Sequence, residues 1–287
     1  MRIFLRFAVT VAALGIAVIS SDAAGQKPAQ QKVDNKKKPA TAAPAPIDVK
    51  PIVTKLKTGD ETKIKEALDE ARLAGPTGAA AAPAVAEVLT RGLSLPLTQS
   101  AIETLGDLES DAGSPALSQY ASHRNAKVRR AAVKALTRTK GAAASTALKR
   151  SLSDSDAVVR GTAASGLGAL KAKDAVAELF IALDHRVNEA AVSIGQLCTV
   201  EQCEQLAGKL GKIPFDVVTG GLDQVLFRPA ADVSDDAKVK IIGRIREQGT
   251  IEGNKFLKDV QKRAVTASPR VKQAIDQAVS ATAGGAQ

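Results

Sequence analysis

One register recurs through the middle of the chain at a step of 31 residues. Leu97, Val128 and Val159 are spaced that way, as are Ala101, Ala132 and Ala163, then Leu105, Leu136 and Leu167, and finally Leu117, Leu148 and Leu179. A fixed period of this size means that one supersecondary unit has been repeated, and that each copy buries its apolar face against its neighbours. The folded product is an elongated scaffold with a long surface.

Within the period, apolar residues return at three- and four-residue steps, and aromatic residues make up only 2% of the chain, which argues for helices rather than strands. Units are expected at roughly 57–90, 91–121, 122–152, 153–183 and 184–210, each with two helices. In the third unit Val128, Ala132, Val133 and Leu136 share one helical face, and Val159, Ala163, Ala164 and Leu167 repeat it. The second helix of each unit turns Leu148 and Leu152 inward, matched by Leu179 and Leu183, then by Leu206 and Leu210. Ser94, Asn125 and Asp156 stand in one register before the first helices, where their side chains are expected to cap. Ser114 and Ser145 are expected to cap the second helices, and Pro115 suits a first helical position.

This pattern resembles the HEAT repeat family, in its short form of about 30 residues. The resemblance is carried by Asp154-Ser155-Asp156-Ala157-Val158-Val159-Arg160 followed by Ala163 and Leu167. Asn125-Ala126-Lys127-Val128-Arg129-Arg130, followed by Ala132 and Leu136, repeats it. It implies an all-α fold, a right-handed α-solenoid of stacked antiparallel helix pairs, and most often protein binding. The family's Asp and Arg usually form a ladder between units. Here Asp156 matches the acid, Arg129 and Arg160 match the arginine, and Asn125 departs from the pattern.

The matched repeats span 91–210. Irregular repeats are expected over 211–281, with helices at Phe215–Phe227, Asp235–Gln248, Thr250–Lys262 and Pro269–Ser280, and a tail at 282–287. Gly220-Gly221 falls inside the first of these segments at a cost of about 1 kcal/mol per glycine, which points to a bend or a close helix contact there.

The start of the chain reads differently. Arg2 and Arg6 precede an uncharged run from Phe7 to Ile19, and Ser21-Asp22-Ala23-Ala24 offers small residues for cleavage, so residues 1–24 read as a secretory signal peptide. The run is shorter than the roughly 20 residues that span a bilayer, which leaves no membrane span after cleavage. Residues 25–47 are rich in Lys, Pro and Ala and hold little to bury, so they read as a disordered linker. The repeat domain is expected at 48–281, in a protein that is exported to the periplasm or outside the cell. Of the chain's net charge of +10, the leader carries +1 and the linker +4, leaving +5 for the repeat body.

That charge is unevenly placed. Between Ala112 and Ser153 there is no acidic residue, while Arg124, Lys127, Arg129, Arg130, Lys134, Arg138, Lys140, Lys149 and Arg150 all fall there. Glu103 and Asp107 precede Lys134 and Arg138 by 31 residues, so those four are expected to pair across a unit boundary, with Asp156 and Arg160 as further inter-repeat contacts. The remaining cations Arg129, Arg130, Lys149 and Arg150 are expected to form a basic docking patch for an acidic protein partner. The alternative is electrostatic attachment to an anionic cell-envelope polymer. Nucleic acid is set aside, because an exported chain seldom meets it and the sequence lacks the aromatic platforms that single strands stack on.

Cys198 and Cys203 flank the turn of the fifth unit, and export favours a disulfide between them; a pair of buried free thiols is the alternative. Two cysteines without a nearby histidine pair do not make a metal site. No serine sits in a Gly-x-Ser-x-Gly elbow, and Gly166-Leu167-Gly168 follows no strand, so neither acyl transfer nor phosphate binding is indicated. The expected function is a non-catalytic exported scaffold or adaptor without a cofactor. Relatives of the repeat in lyases that attach bilin pigments supply the remote enzyme alternative.

Overall fold

The computed structural model describes residues 45–283, so the expected signal peptide, nearly all of the linker and the last residues of the tail lie outside the described residues. In chain order the helices are α1 (Lys50–Leu56), α2 (Glu61–Ala74), α3 (Ala82–Arg91), α4 (Leu95–Asp107), α5 (Ser114–Tyr120), α6 (Ala126–Leu136), α7 (Ala142–Ser151) and α8 (Ala157–Ala169). There follow α9 (Val176–Asp184), α10 (Glu189–Leu197), α11 (Val200–Ala207), α12 (Phe215–Leu226), α13 (Asp235–Glu247), α14 (Ile251–Arg263) and α15 (Pro269–Ala283). Among the described residues there is no strand, only a single bridge between Leu210 and Ile213.

The helices pair and stack as the 31-residue step requires. The first helices α2, α4, α6, α8, α10 and α12 each pack on the next, and the second helices follow in a parallel layer, with α3 on α5, α5 on α7, α11 on α13 and α13 on α15. This is an α-solenoid. The repeated positions are its spine: Val128, Val159, Ala101, Ala132, Ala163, Leu105, Leu136, Leu167, Leu117, Leu148 and Leu179 are all fully buried, and Leu97 nearly so. Each such leucine contributes about 1.5–3 kcal/mol relative to exposure. Tyr120 adds a polar tie between units, its hydroxyl donating to the Leu89 carbonyl at 2.8 Å.

Two of the expected caps form. Asn125 Oδ1 accepts from the Lys127 N–H at 2.9 Å, and Asp156 Oδ1 from the Val159 N–H at 3.1 Å. Ser94 occupies the cap position of α4 without a side-chain bond. Ser114 and Ser145 do not cap. Gly113 and Gly141 stand at those ends instead, and both serine hydroxyls are buried without a partner. The cause is local: Gly141 at φ 127 turns the chain early, and Ala142, Ala143 and Ala144 add a helical turn ahead of Ser145.

Gly220-Gly221 marks a close contact, as the sequence implied. A Cβ on Gly221 would stand 2.3 Å from the Ala191 carbonyl oxygen, and one on Gly195 would stand 2.1 Å from the Gly221 oxygen. Helices α10 and α12 therefore touch backbone to backbone.

Candidate binding surface

Part of the basic stretch is spent inside the solenoid. Asp154 lies in the loop between α7 and α8 with a side chain 11% exposed, and Arg129 lies in α6 at 14%. Its Nε and Nη2 donate to the two Asp154 oxygens at 2.7 and 2.8 Å, while Nη1 donates to the His123 and Arg124 carbonyls. Next to it, Arg130 grips Asp156 with two nitrogens, at 3.0 and 2.5 Å. Lys149 donates to Asp174 at 2.6 Å and lies 3.6 Å from Glu178. Charge-assisted hydrogen bonds raise the pKa values of Arg129, Arg130 and Lys149, and lower those of Asp154 and Asp174. The Arg130 hydrogen bonds hold Asp156 at about 2.

These placements correct the expected patch. Arg129, Arg130 and Lys149 are held by carboxylates of the following unit, because the acids at 154, 156 and 174 lie diagonally across the boundary rather than at equivalent positions. Of the four patch residues, Arg150 alone is exposed and without an acidic partner among the described residues.

The expected ladder forms in part. Arg138 pairs with Asp107, and Glu109 lies 3.5 Å away. Glu103 turns the other way, to Arg72 of α2 at 3.1 Å, and Lys134 stays exposed without an acid in range. Arg160 donates to the carbonyls of Asp154 and Ser155 in its own loop and reaches no carboxylate of the next unit. The register explains this: residue 185, equivalent to Asp154, is His185.

Four of the nine cations between 112 and 153 are thus neutralised, and five are not: Arg124, Lys127, Lys134, Lys140 and Arg150. They divide between the two ends of α6. Lys140 lies in the turn beyond its carboxyl end. Arg124 and Arg150 converge at the other end, where a hollow of about 340 Å³ opens between α5, α7 and the loops that follow them. Ser118, Ser122, Arg124, Arg129, Arg150 and Asp154 line it. His123 also lines it, its Nδ1 accepting from the Asn125 N–H at 3.1 Å, a turn-forming role.

Cys198 and Cys203 are buried, with sulfurs 2.11 Å apart and Cα atoms 5.4 Å apart, at disulfide bonding distance. Arg228, in the loop after α12, donates to the Cys198 carbonyl at 2.7 Å and lies 3.6 and 3.9 Å from the two sulfurs. Lys238 of α13 in turn donates to the Arg228 carbonyl. Burial lowers the Lys238 pKa. No group of His, Cys, Asp and Glu suited to a metal occurs among the described residues, and no described helix is long and apolar enough to cross a membrane.

Residues 82–168 match the family model of HEAT repeats. No curated protein matches the sequence significantly. Among solved structures, the chain is similar to the complex of CpcE and CpcF of phycocyanin lyase from Nostoc sp. PCC7120, at 20% identity and a TM-score of 0.42, over 86% of this chain and 98% of that one. It is also similar to a designed armadillo repeat protein in complex with the peptide (KR)4, at 13% identity and a TM-score of 0.42, over 82% of this chain and 100% of that one. Human deoxyhypusine hydroxylase matches at 16% identity and a TM-score of 0.35, over 82% and 96%.

Proposed function

We propose that this all-helical stack, whose residues 82–168 match the family model of HEAT repeats, is a non-catalytic exported scaffold that binds a protein partner along the loop edge at the amino-terminal end of α6. The observation that carries this reading is the set of cations left over once the solenoid has satisfied itself. Arg124, Lys127 and Arg150 remain exposed and unpaired there, although acids of neighbouring units hold Arg129, Arg130 and Lys149 close by. Side chains that stabilise nothing internally and concentrate one sign of charge steer an oppositely charged partner.

Export rests on the basic start and the apolar run from Phe7 to Ile19. Residues 25–47 then act as a spacer that holds the repeats away from the export point.

Cross-linking in the native envelope tests the reading. The mature chain should couple to an acidic protein, and a variant combining Arg124→Glu, Lys127→Glu and Arg150→Glu should lose that product at low salt. Undiminished coupling by the charge-reversed chain overturns the reading. So does attachment of the wild-type chain to polysaccharide alone.

A further inference from the structure

We infer that the hollow at the carboxyl ends of α5 and α7 is a seat for a glutamate or aspartate side chain of an extended acidic segment, a proposal that rests on the reading of the repeats as a protein-binding scaffold. The walls are built for a carboxylate. Arg124 and Arg150 line it, both exposed and with no acidic partner among the described residues, the Ser118 and Ser122 hydroxyls make no side-chain hydrogen bond there, and Arg129 is fixed in place by Asp154. A guanidinium offers a planar fork that matches a carboxylate with two hydrogen bonds, which a lysine does not.

Magnitudes favour a singly charged group over a phosphate. The lining carries three arginines against one aspartate, a balance of +2 with His123 neutral. Helices α5 and α7 both end at this hollow, and each carboxyl end brings about half a negative charge. The field left for a guest is then about one positive charge. A carboxylate meets it, whereas a dianionic phosphate would leave charge uncompensated.

A second hollow makes the guest an extended segment rather than a small anion. It has a volume of about 500 Å³ and lies at the loops before α10 and α12, where Arg186, Lys209 and Lys212 line it together with Asp184 and Asn188. Lys209 is held by Asp184, and Arg186 and Lys212 are exposed without an acid. Arg186 stands 62 residues after Arg124, two units along the same edge, and Ser155 occupies the register position between them. Stacked helices lie about 8–10 Å apart, so the two hollows are roughly 20 Å from each other, a span of about six extended residues.

The test uses the mature chain and a fluorescein-labelled peptide with two glutamate pairs about six residues apart, followed by anisotropy at low salt. Saturable binding is expected, with Arg124→Ala and Arg150→Ala each weakening it about tenfold, as the loss of a charge-assisted contact does. Lys140→Ala removes the same charge at the opposite end of α6 and should change affinity less than about twofold. Equal loss from Lys140→Ala overturns the seat, because it would show attraction to net charge alone. Absence of saturable binding overturns it too, as does displacement of the peptide by inorganic phosphate but not by chloride of equal ionic strength. Should Arg124→Ala and Arg150→Ala bind the peptide as tightly as the wild-type chain while the triple charge reversal still loses the envelope cross-link, the seat is refuted and the scaffold reading stands; should the wild-type chain capture no protein, the scaffold reading itself fails.

Discussion

Arg129 and Asp154, 25 residues apart, close a two-pronged ion pair between consecutive units, and Arg160, 31 residues after Arg129, reproduces only its backbone half. Both side chains of the pair are mostly buried, so its partners are pre-placed and little water competes. Arg129→Ala or Asp154→Ala should each cost about 2 kcal/mol. A double-mutant cycle read from urea midpoints should return a coupling of about 1–2 kcal/mol, and additive losses would show that the pair does not couple the units.

Acid should loosen the same boundary. Asp154 and Asp156 are held below the ordinary carboxylate value by Arg129 and Arg130 respectively, Asp156 at about 2. A depressed native pKa means that the unfolded chain binds protons first, so the stabilisation is complete above about pH 4 and disappears as pH falls from there toward 2. Urea midpoints should drop through that window. Asp156→Asn, which keeps a capping oxygen but loses the charge, should flatten the drop; an unchanged slope would mean that Asp156 gains nothing from Arg130.

The 31-residue register made the fold legible, and it also hid the ion pairs. Equivalent positions in a repeat share their surroundings, so the buried leucines and alanines and the Asn125 and Asp156 caps could be placed from the register, while the helices beyond Phe215 followed from their local apolar periodicity. Contacts across a boundary are different, because a side chain on one helix meets the loop of the next unit on a diagonal. Arg129–Asp154, Lys149–Asp174 and Lys209–Asp184 all lie 25 residues apart, and Arg130–Asp156 lies 26 apart. The Arg138–Asp107 and Arg72–Glu103 contacts, by contrast, follow the full step of 31. Arg124 was visible as a charge but not as a site, since its significance depends on which neighbours are neutralised.

Glycine substitutions should separate close packing from helix propensity. Gly195→Ala places a methyl group 2.1 Å from the Gly221 oxygen, where neither backbone can move without parting α10 from α12, and a loss of about 3 kcal/mol or an expanded, non-native array is expected. Gly243→Ala, inside α13 with nothing within 4 Å of the added Cβ, should stabilise by about 0.5–1 kcal/mol through reduced backbone entropy. Thermal unfolding of the two variants checks both. Similar shifts of one sign would contradict the packing found here.

The Cys198–Cys203 link should act as a local staple. It closes a ring of about six residues, for which loop-closure entropy gives about 2 kcal/mol, and the spine of leucines does not depend on it. Its surroundings extend the effect: Arg228 joins the Cys198 carbonyl to the loop after α12, and Lys238 ties that loop to α13, so loosening the corner should reach the carboxyl-terminal units first. A Cys198→Ala/Cys203→Ala variant is expected to remain helical and to unfold at lower urea concentration than the oxidised chain. Reductant should lower the wild-type midpoint toward that of the variant and leave the variant unmoved. Hydrogen exchange should show the added opening concentrated in α11, α12 and α13. Protection lost instead across α4 to α8 would break the proposed route through Arg228.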